Sequence, residues 1–207
     1  RVHVAHASTA GTVEVLRWAR SQGIAVTAEV TPHHLLLTTD LLGDYDPTYK
    51  VNPPLRPAED VEALRAALAD GTIDAVATDH APHARHDKEH AFVDAAFGML
   101  GLETALPVVA SVMVETGLMT WADVARVMST TPAAIAGLEG QGRGLEVGAP
   151  ANIVLVDPSA DVTVDRDASV SLSRNNPWHG RTFGASVRHT LLRGRPTVLD
   201  GSLVEGR

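Results

Sequence analysis

The chain has 207 residues, 44% hydrophobic but only 4% aromatic, so a sizeable core has to be built from Ala, Val, Leu and Ile. A net charge of −8 without a basic cluster disfavours a nucleic-acid partner, and no apolar run reaches the roughly 18 residues of a membrane span. Cysteine is absent, which excludes disulfides and thiolate metal sites and leaves His, Asp and Glu as metal donors.

Val2–Ala5 reads as a strand that opens without an initiator Met, as if the chain were a piece of something longer, and His6 follows it directly. Ser8 or Thr9 can cap a helix whose apolar stripe is Thr12, Val15, Leu16 and Ala19, and Gly23 stops it. Ile24–Val30 is a second strand, ending at Thr31-Pro32-His33-His34. Residues 40–57 lack periodicity and form a long loop containing "KVNPPLRP". Ala58–Ala69 is a helix with Val61, Leu64 and Leu68 inward, closed by Gly71, and Ile73–Ala77 is a third strand. Strands alternating with helices imply parallel pairing through crossovers, and chemistry then gathers at the C-terminal strand ends. That is where His6, His33, His34 and the cluster Asp79, His80, His83 fall.

The charged stretch "ARHDKEHAFVDAAFG" reads as a mobile lid beside this rim. Leu102–Met113 forms an apolar helix with Leu102, Leu106, Val109 and Met113 in phase. Thr120 caps another helix over Trp121–Met128, and Thr131-Pro132 opens a third that ends near Gly137. From about Gly140 the texture turns Gly-rich and then β, with strands at Ile153–Val156, Val162–Val164, Ser186–Leu192, Thr197–Leu199 and Leu203-Val204, the last two joined by an Asp200-Gly201 turn. Two units are expected, residues 1–140 and 141–207.

A single His or Asp after a strand is weak evidence for a metal ligand, since both residues also serve as structural hydrogen-bonding groups. "TDHAPH" is more specific, because it brings one carboxylate and two imidazoles to the tip of a buried strand. "VHVAHAST", "VTAEVTPHHLLL", "YKVNPPLR" and "ATDHAPH", followed by "FGMLGLETALP", "TTPAAIAGL", "GRGLEVGAPANIVLVDP" and "SRNNPWHGRTFGASVRHTLLRGR", resemble in order and spacing the bacterial type I dihydroorotases of the amidohydrolase superfamily.

That resemblance implies an α/β fold, the C-terminal part of a (β/α)8 TIM barrel (about strands six to eight and the following helices), plus the C-terminal part of a small β-sandwich domain. It implies two Zn2+ per complete site, and a missing N-terminal half with a His-x-His pair, a substrate Arg, a metal-bridging acidic residue and another His ligand. Independently, three strands in residues 1–140 cannot close a barrel that typically takes about 250 residues. By the same resemblance His6 is a ligand of the more buried zinc, and Asp79 binds the other zinc and shuttles the proton. Asn52, His83 and the backbone of Phe97 and Gly98 contact substrate. Ala96 stands where the family usually has Pro. His33, His34 and His80 are read as supporting residues rather than metal ligands, His86, His90, His179 and His189 as surface residues, and Asn175-Asn176-Pro177 as a turn.

The implied activity is reversible cyclisation of N-carbamoyl-L-aspartate to dihydroorotate and water, in pyrimidine biosynthesis in the cytoplasm. A homodimer or an aspartate transcarbamoylase complex is the implied assembly. Two alternatives stay open. One is a dihydropyrimidinase, hydantoinase or allantoinase, relatives that tend to have Ser-Pro-Pro where this chain has Asn52-Pro53-Pro54. The other is a non-catalytic dihydroorotase-like scaffold of the transcarbamoylase.

Overall fold

The computed structural model describes residues 1–204. Its first part is a three-stranded parallel sheet, ordered β1 (Val2–Val4), β2 (Val26–Val30), β3 (Ala75–Val76). Two crossover helices connect the strands, α1 (Ala10–Ser21) and α2 (Ala58–Ala69). The register is Val2 to Val26 and Val4 to Ala28, then Glu29 to Ala75 and Val30 to Val76. This is the construction of part of a (β/α)8 barrel, with helices on one face of parallel strands.

The Thr9 side chain caps α1 by accepting from the Thr12 amide, while Asp60 in the first turn of α2 accepts from the Ala10 amide at 2.7 Å. One carboxylate therefore serves the positive ends of both helices. The buried face of α1 is Val13, Leu16 and Ala19. Val15, expected inward, is exposed, and the Thr12 hydroxyl is turned to the cap at 3.0 Å from that of Thr9. The face of α2 is as expected, with Val61, Leu64 and Leu68 buried. Ala28 and Val30 of β2 join Leu64, Leu68 and Ile73 in the main core.

After β3 comes a single turn, α3 (Arg85–Lys88). Helix α4 spans Ala105–Val109 and widens into a π turn over Ala110–Val114. Leu102, expected in phase with this helix, lies before it and is exposed, because its amide is turned back to His80. Helix α5 (Trp121–Ala125) starts in a reciprocal Thr120–Asp123 capping box and runs through a second π turn, Arg126–Thr130, into α6 (Thr131–Ala136). Gly137 closes it at φ +68°, a conformation that costs glycine little.

The C-terminal β part holds β4 (Ile153–Asp157), β5 (Val162–Thr163), β6 (Thr182–Phe183), β7 (Ser186–Leu192), β8 (Arg195–Leu199) and β9 (Ser202–Leu203). An antiparallel sheet runs β4-β7-β8-β9, and β5 pairs separately with β6, a strand the sequence pattern did not reveal. Asp200-Gly201 makes the expected tight turn between β8 and β9. Trp178 is fully buried, edge-on to Phe183 with ring centroids 5.6 Å apart. They pack with Leu37, Val51, Leu55 and Met99, so the β part shares a core with the loops at the C-terminal end of the parallel strands.

The opposite end of that sheet is fixed by charge. Asp74 Oδ2 accepts from Arg20 Nη2 at 2.7 Å and from the Ala28 amide at 2.8 Å, and Arg20 Nη1 donates to the Gly71 carbonyl at 2.6 Å. This half-buried bracket ties α1, β2 and β3 together. Asp74→Ala orphans an amide and a guanidinium, and should lower stability by about 2–4 kcal/mol. Arg17→Ala, which removes only the exposed Arg17–Asp70 pair, should cost under about 1 kcal/mol. Urea midpoints of the two variants check the contrast.

Candidate functional site

Both chemically loaded strand ends leave the β conformation abruptly. His6 has φ +53° and Asp79 φ +47°, left-handed backbone that L-residues adopt at a cost of roughly 1–3 kcal/mol. The turns aim the two side chains at each other across β2. His6 Nε2 lies 3.6 Å from Asp79 Oδ1, too far for a hydrogen bond and close enough for both atoms to ligate one cation or adjacent ones. Glu29, on β2 between them, places Oε1 3.0 Å from His6 Nδ1, yet that buried nitrogen has no hydrogen-bond partner among the described residues. Glu29 Oε2 pairs with His3 Nε2 at 3.1 Å, and His3 Nδ1 with the Thr27 hydroxyl at 2.8 Å. His3, Thr27 and Glu29 thus share one polar face, while Ala28 and Val30 face the helices. Burial pushes the Asp79 carboxyl above its ordinary value; Glu29 adds to the shift and His6 opposes it.

His33 and His34 are both buried, with ring centroids 4.6 Å apart. Burial holds His34 down at about 4, against carbonyl hydrogen bonds that favour the charged form. The neutral ring donates from Nε2 to the Pro53 carbonyl at 3.0 Å, leaving Nδ1 to accept from the Thr31 hydroxyl at 2.8 Å. His34 therefore pins the loop that presents Asn52, which is exposed. Burial, with His34 and His6 nearby, holds His33 well below the usual imidazole range, and its Nε2 is without a partner. His80 Nδ1 accepts from the Gly101 and Leu102 amides at 3.1 and 3.3 Å, a supporting role. His86, His90 and His179 are exposed, but His189 is half-buried, its Nδ1 accepting from the Asp200 amide.

His83, Phe97 and Gly98 come together. His83 Nε2 donates to the Phe97 carbonyl at 2.7 Å. Gly98 sits at φ +130°, where a Cβ would come within 2.5 Å of Ala81 Cβ and 3.0 Å of His83 Nε2. Only glycine allows this approach. The Gly98 amide donates to the Lys50 carbonyl at 2.9 Å, linking this segment to the loop of Asn52. A cavity of about 310 Å³ opens beside them, lined in part by His83, Lys88, Arg174 and Asn175.

The stretch expected to be a mobile lid is tied to the neighbouring loop by one of its own charges. Lys88 is buried, and its ammonium donates to the Lys50 and Ala96 carbonyls at 3.0 and 2.9 Å. Lys50, also buried, donates to the Val93 carbonyl and lies 4.5 Å from the Phe97 ring centroid. Sequence reasoning missed both lysines as well as Glu29, His3 and Asn175. For Glu29 a signal existed, an acid inside a strand that carries no other charge. For the lysines there was none.

Among the described residues no group of three or more His, Asp or Glu is arranged to hold a metal. The donor chemistry of His6 and Asp79 fits a divalent cation, but as two ligands they are an incomplete set.

The amidohydrolase family profile matches residues 3–197. Dihydroorotases from Streptomyces coelicolor and Mycobacterium tuberculosis are each 58% identical over 203 residues, covering 98% of this chain and 47% of theirs. The chain thus spans about half the length of the curated relatives it matches. Among solved structures, an L-hydantoinase (dihydropyrimidinase) from Arthrobacter aurescens superposes with a TM-score of 0.92 at 33% identity, covering 99% of this chain and 46% of that one.

The Lys88 bracket has a pH signature. Burial, reinforced by Lys50, lowers its ammonium to about 8, whereas the unfolded chain keeps the proton to about 10.4. Between these values the unfolded state binds more protons, so stability should rise with pH across that window. Comparing the native chain with Lys88→Met by denaturant titration from pH 7.5 to 10.5 should show a rise of roughly 2 kcal/mol that the variant lacks.

Proposed function

The chain belongs to the amidohydrolase family, and from that premise we propose that it forms the C-terminal side of a dihydroorotase active site. The observation that carries the reading is the 3.6 Å approach of His6 and Asp79 from the ends of alternate parallel strands. The 58% identity to dihydroorotases supports the substrate assignment. His6 and Asp79 would hold divalent ions, Zn2+ in this reading, with the remaining ligands outside this chain. When bound, such ions supply Lewis-acid polarisation and acidify a water.

The residues of this chain do the rest. Asp79, ionised, accepts the proton of the water that attacks the ring amide carbonyl, then delivers it to the departing nitrogen. Run backwards, the same transfer closes N-carbamoyl-L-aspartate to dihydroorotate and releases water. Asn52 offers both a donor and an acceptor to an amide edge, and His83, Phe97 and Gly98 form the wall against which substrate is set.

The fold match to an L-hydantoinase favours one rival, a cyclic amidase for hydantoins or dihydropyrimidines. Asn52 in "NPPLR" separates the two readings. A full-length protein carrying this chain should turn over dihydroorotate at least about a hundredfold more efficiently than hydantoin or dihydrouracil; the reverse order overturns the assignment. Asp79→Asn should lower kcat by about 10²–10⁴-fold with His6 intact. The hydrolytic rate of the parent should fall with unit slope on the acid side of its pH profile, since protonation of Asp79 removes the acceptor. Residues 1–207 alone should show negligible turnover; robust activity with stoichiometric zinc would refute the shared-site reading.

A further inference from the structure

Asn175 reads as a turn residue of the β part, yet it is 5% exposed and reaches into the rim of the parallel sheet. Its carboxamide nitrogen donates to the Ala81 carbonyl at 2.8 Å and the Gly98 carbonyl at 3.2 Å. Its Oδ1 accepts from the His83 amide in a longer contact of 3.4 Å. Its own backbone carbonyl accepts from the Leu100 amide at 3.0 Å. One side chain therefore engages the two segments that carry His83 and Phe97-Gly98, from 77 to 94 residues away in sequence.

We propose that Asn175 is a positioning residue, a brace by which the β part sets the distance between the His83 loop and the Phe97–Gly98 segment in the substrate-binding wall.

The chemistry requires a carboxamide. Two carbonyl oxygens facing one nitrogen need two N–H donors, and an amide N–H needs an acceptor on the same group. Aspartate would set a carboxylate oxygen against both carbonyls, and leucine would leave them buried without donors. Neighbouring Asn176 acts only locally, since its Oδ1 accepts from the Trp178 amide and makes the turn. The β part is also tethered from outside the wall. Glu103 accepts from the Ser169 hydroxyl and from the Val170 and Ser171 amides. That second tether separates general docking of the β part from the bracing of one wall.

This inference rests on the cyclic-amidase reading, so the full-length parent is assayed first on dihydroorotate; a parent without turnover overturns that reading and the brace with it. In an active parent, Asn175→Asp should raise KM for dihydroorotate about tenfold while kcat changes less than about threefold, because the wall is displaced and Asp79 is not. Asn175→Ser, too short to span both carbonyls, should do the same to a smaller degree and serves where the first variant does not fold. Glu103→Ala should lower the thermal midpoint and leave KM unchanged. An unchanged KM in a folded Asn175 variant overturns the proposal. So does an equal KM rise in Glu103→Ala, which would make docking alone responsible, or failure of both Asn175 variants to fold while Glu103→Ala folds.

Discussion

Parallel registration of three strands is the constraint on which the site depends. Because β1 and β3 flank β2 and point the same way, the residues that follow them emerge at one rim. Register alone would not make His6 and Asp79 meet, since each is separated from the other by the width of β2. The left-handed turn at both positions closes that gap and leaves donor atoms 3.6 Å apart. Strain of roughly 1–3 kcal/mol at each turn has to be offset elsewhere. The Arg20–Asp74 bracket at the far end of the same strands is one source, so the sheet is divided into an end that holds and an end that presents.

The loops around that rim are organised by buried polar groups rather than by apolar packing alone. A buried donor without an acceptor costs about 1–3 kcal/mol, so each buried polar group fixes the carbonyls it must find. His34 finds Pro53, Lys88 finds Lys50 and Ala96, and Asn175 finds Ala81 and Gly98. These are loop carbonyls outside any strand ladder, so side chains have to supply their donors. The Lys50 carbonyl accepts from both Lys88 and the Gly98 amide, so the segment of Asn52 and the segment of Phe97 share an anchor.

Much of this is legible in the sequence, because apolar periodicity reports on contacts made by every turn of an element. The α2 face and the alternation of strands and helices come from such repeats. Periodicity misplaces Thr12 and Val15 on the inner face of α1, because Thr12 belongs to the cap, a local hydrogen bond that periodicity does not weigh. Strand β3 is shorter than the apolar run Ile73–Ala77, since the Asp74 carboxylate takes the Ala28 amide in place of a backbone partner. The approach of His6 and Asp79 at one rim follows from their place directly after parallel strands. Lys88 and Asn175 are hidden for the opposite reason. Their partners lie 8 to 94 residues away, and nothing in the composition of a charged run or an Asn-Asn-Pro turn distinguishes a buried member from its solvated neighbours.

Glu29 shows what the polar face of β2 contributes. His6 stands between two carboxylates, with Nδ1 3.0 Å from Glu29 Oε1 and Nε2 3.6 Å from Asp79 Oδ1. Burial raises the proton affinity of Asp79, and the second carboxylate, Glu29, adds to that shift while His6 opposes it. On its other side Glu29 pairs with His3, through a ring whose second nitrogen is held by Thr27. The chain thus carries a contiguous row of polar groups, from His3 through Glu29 and His6 to Asp79, set by one strand register.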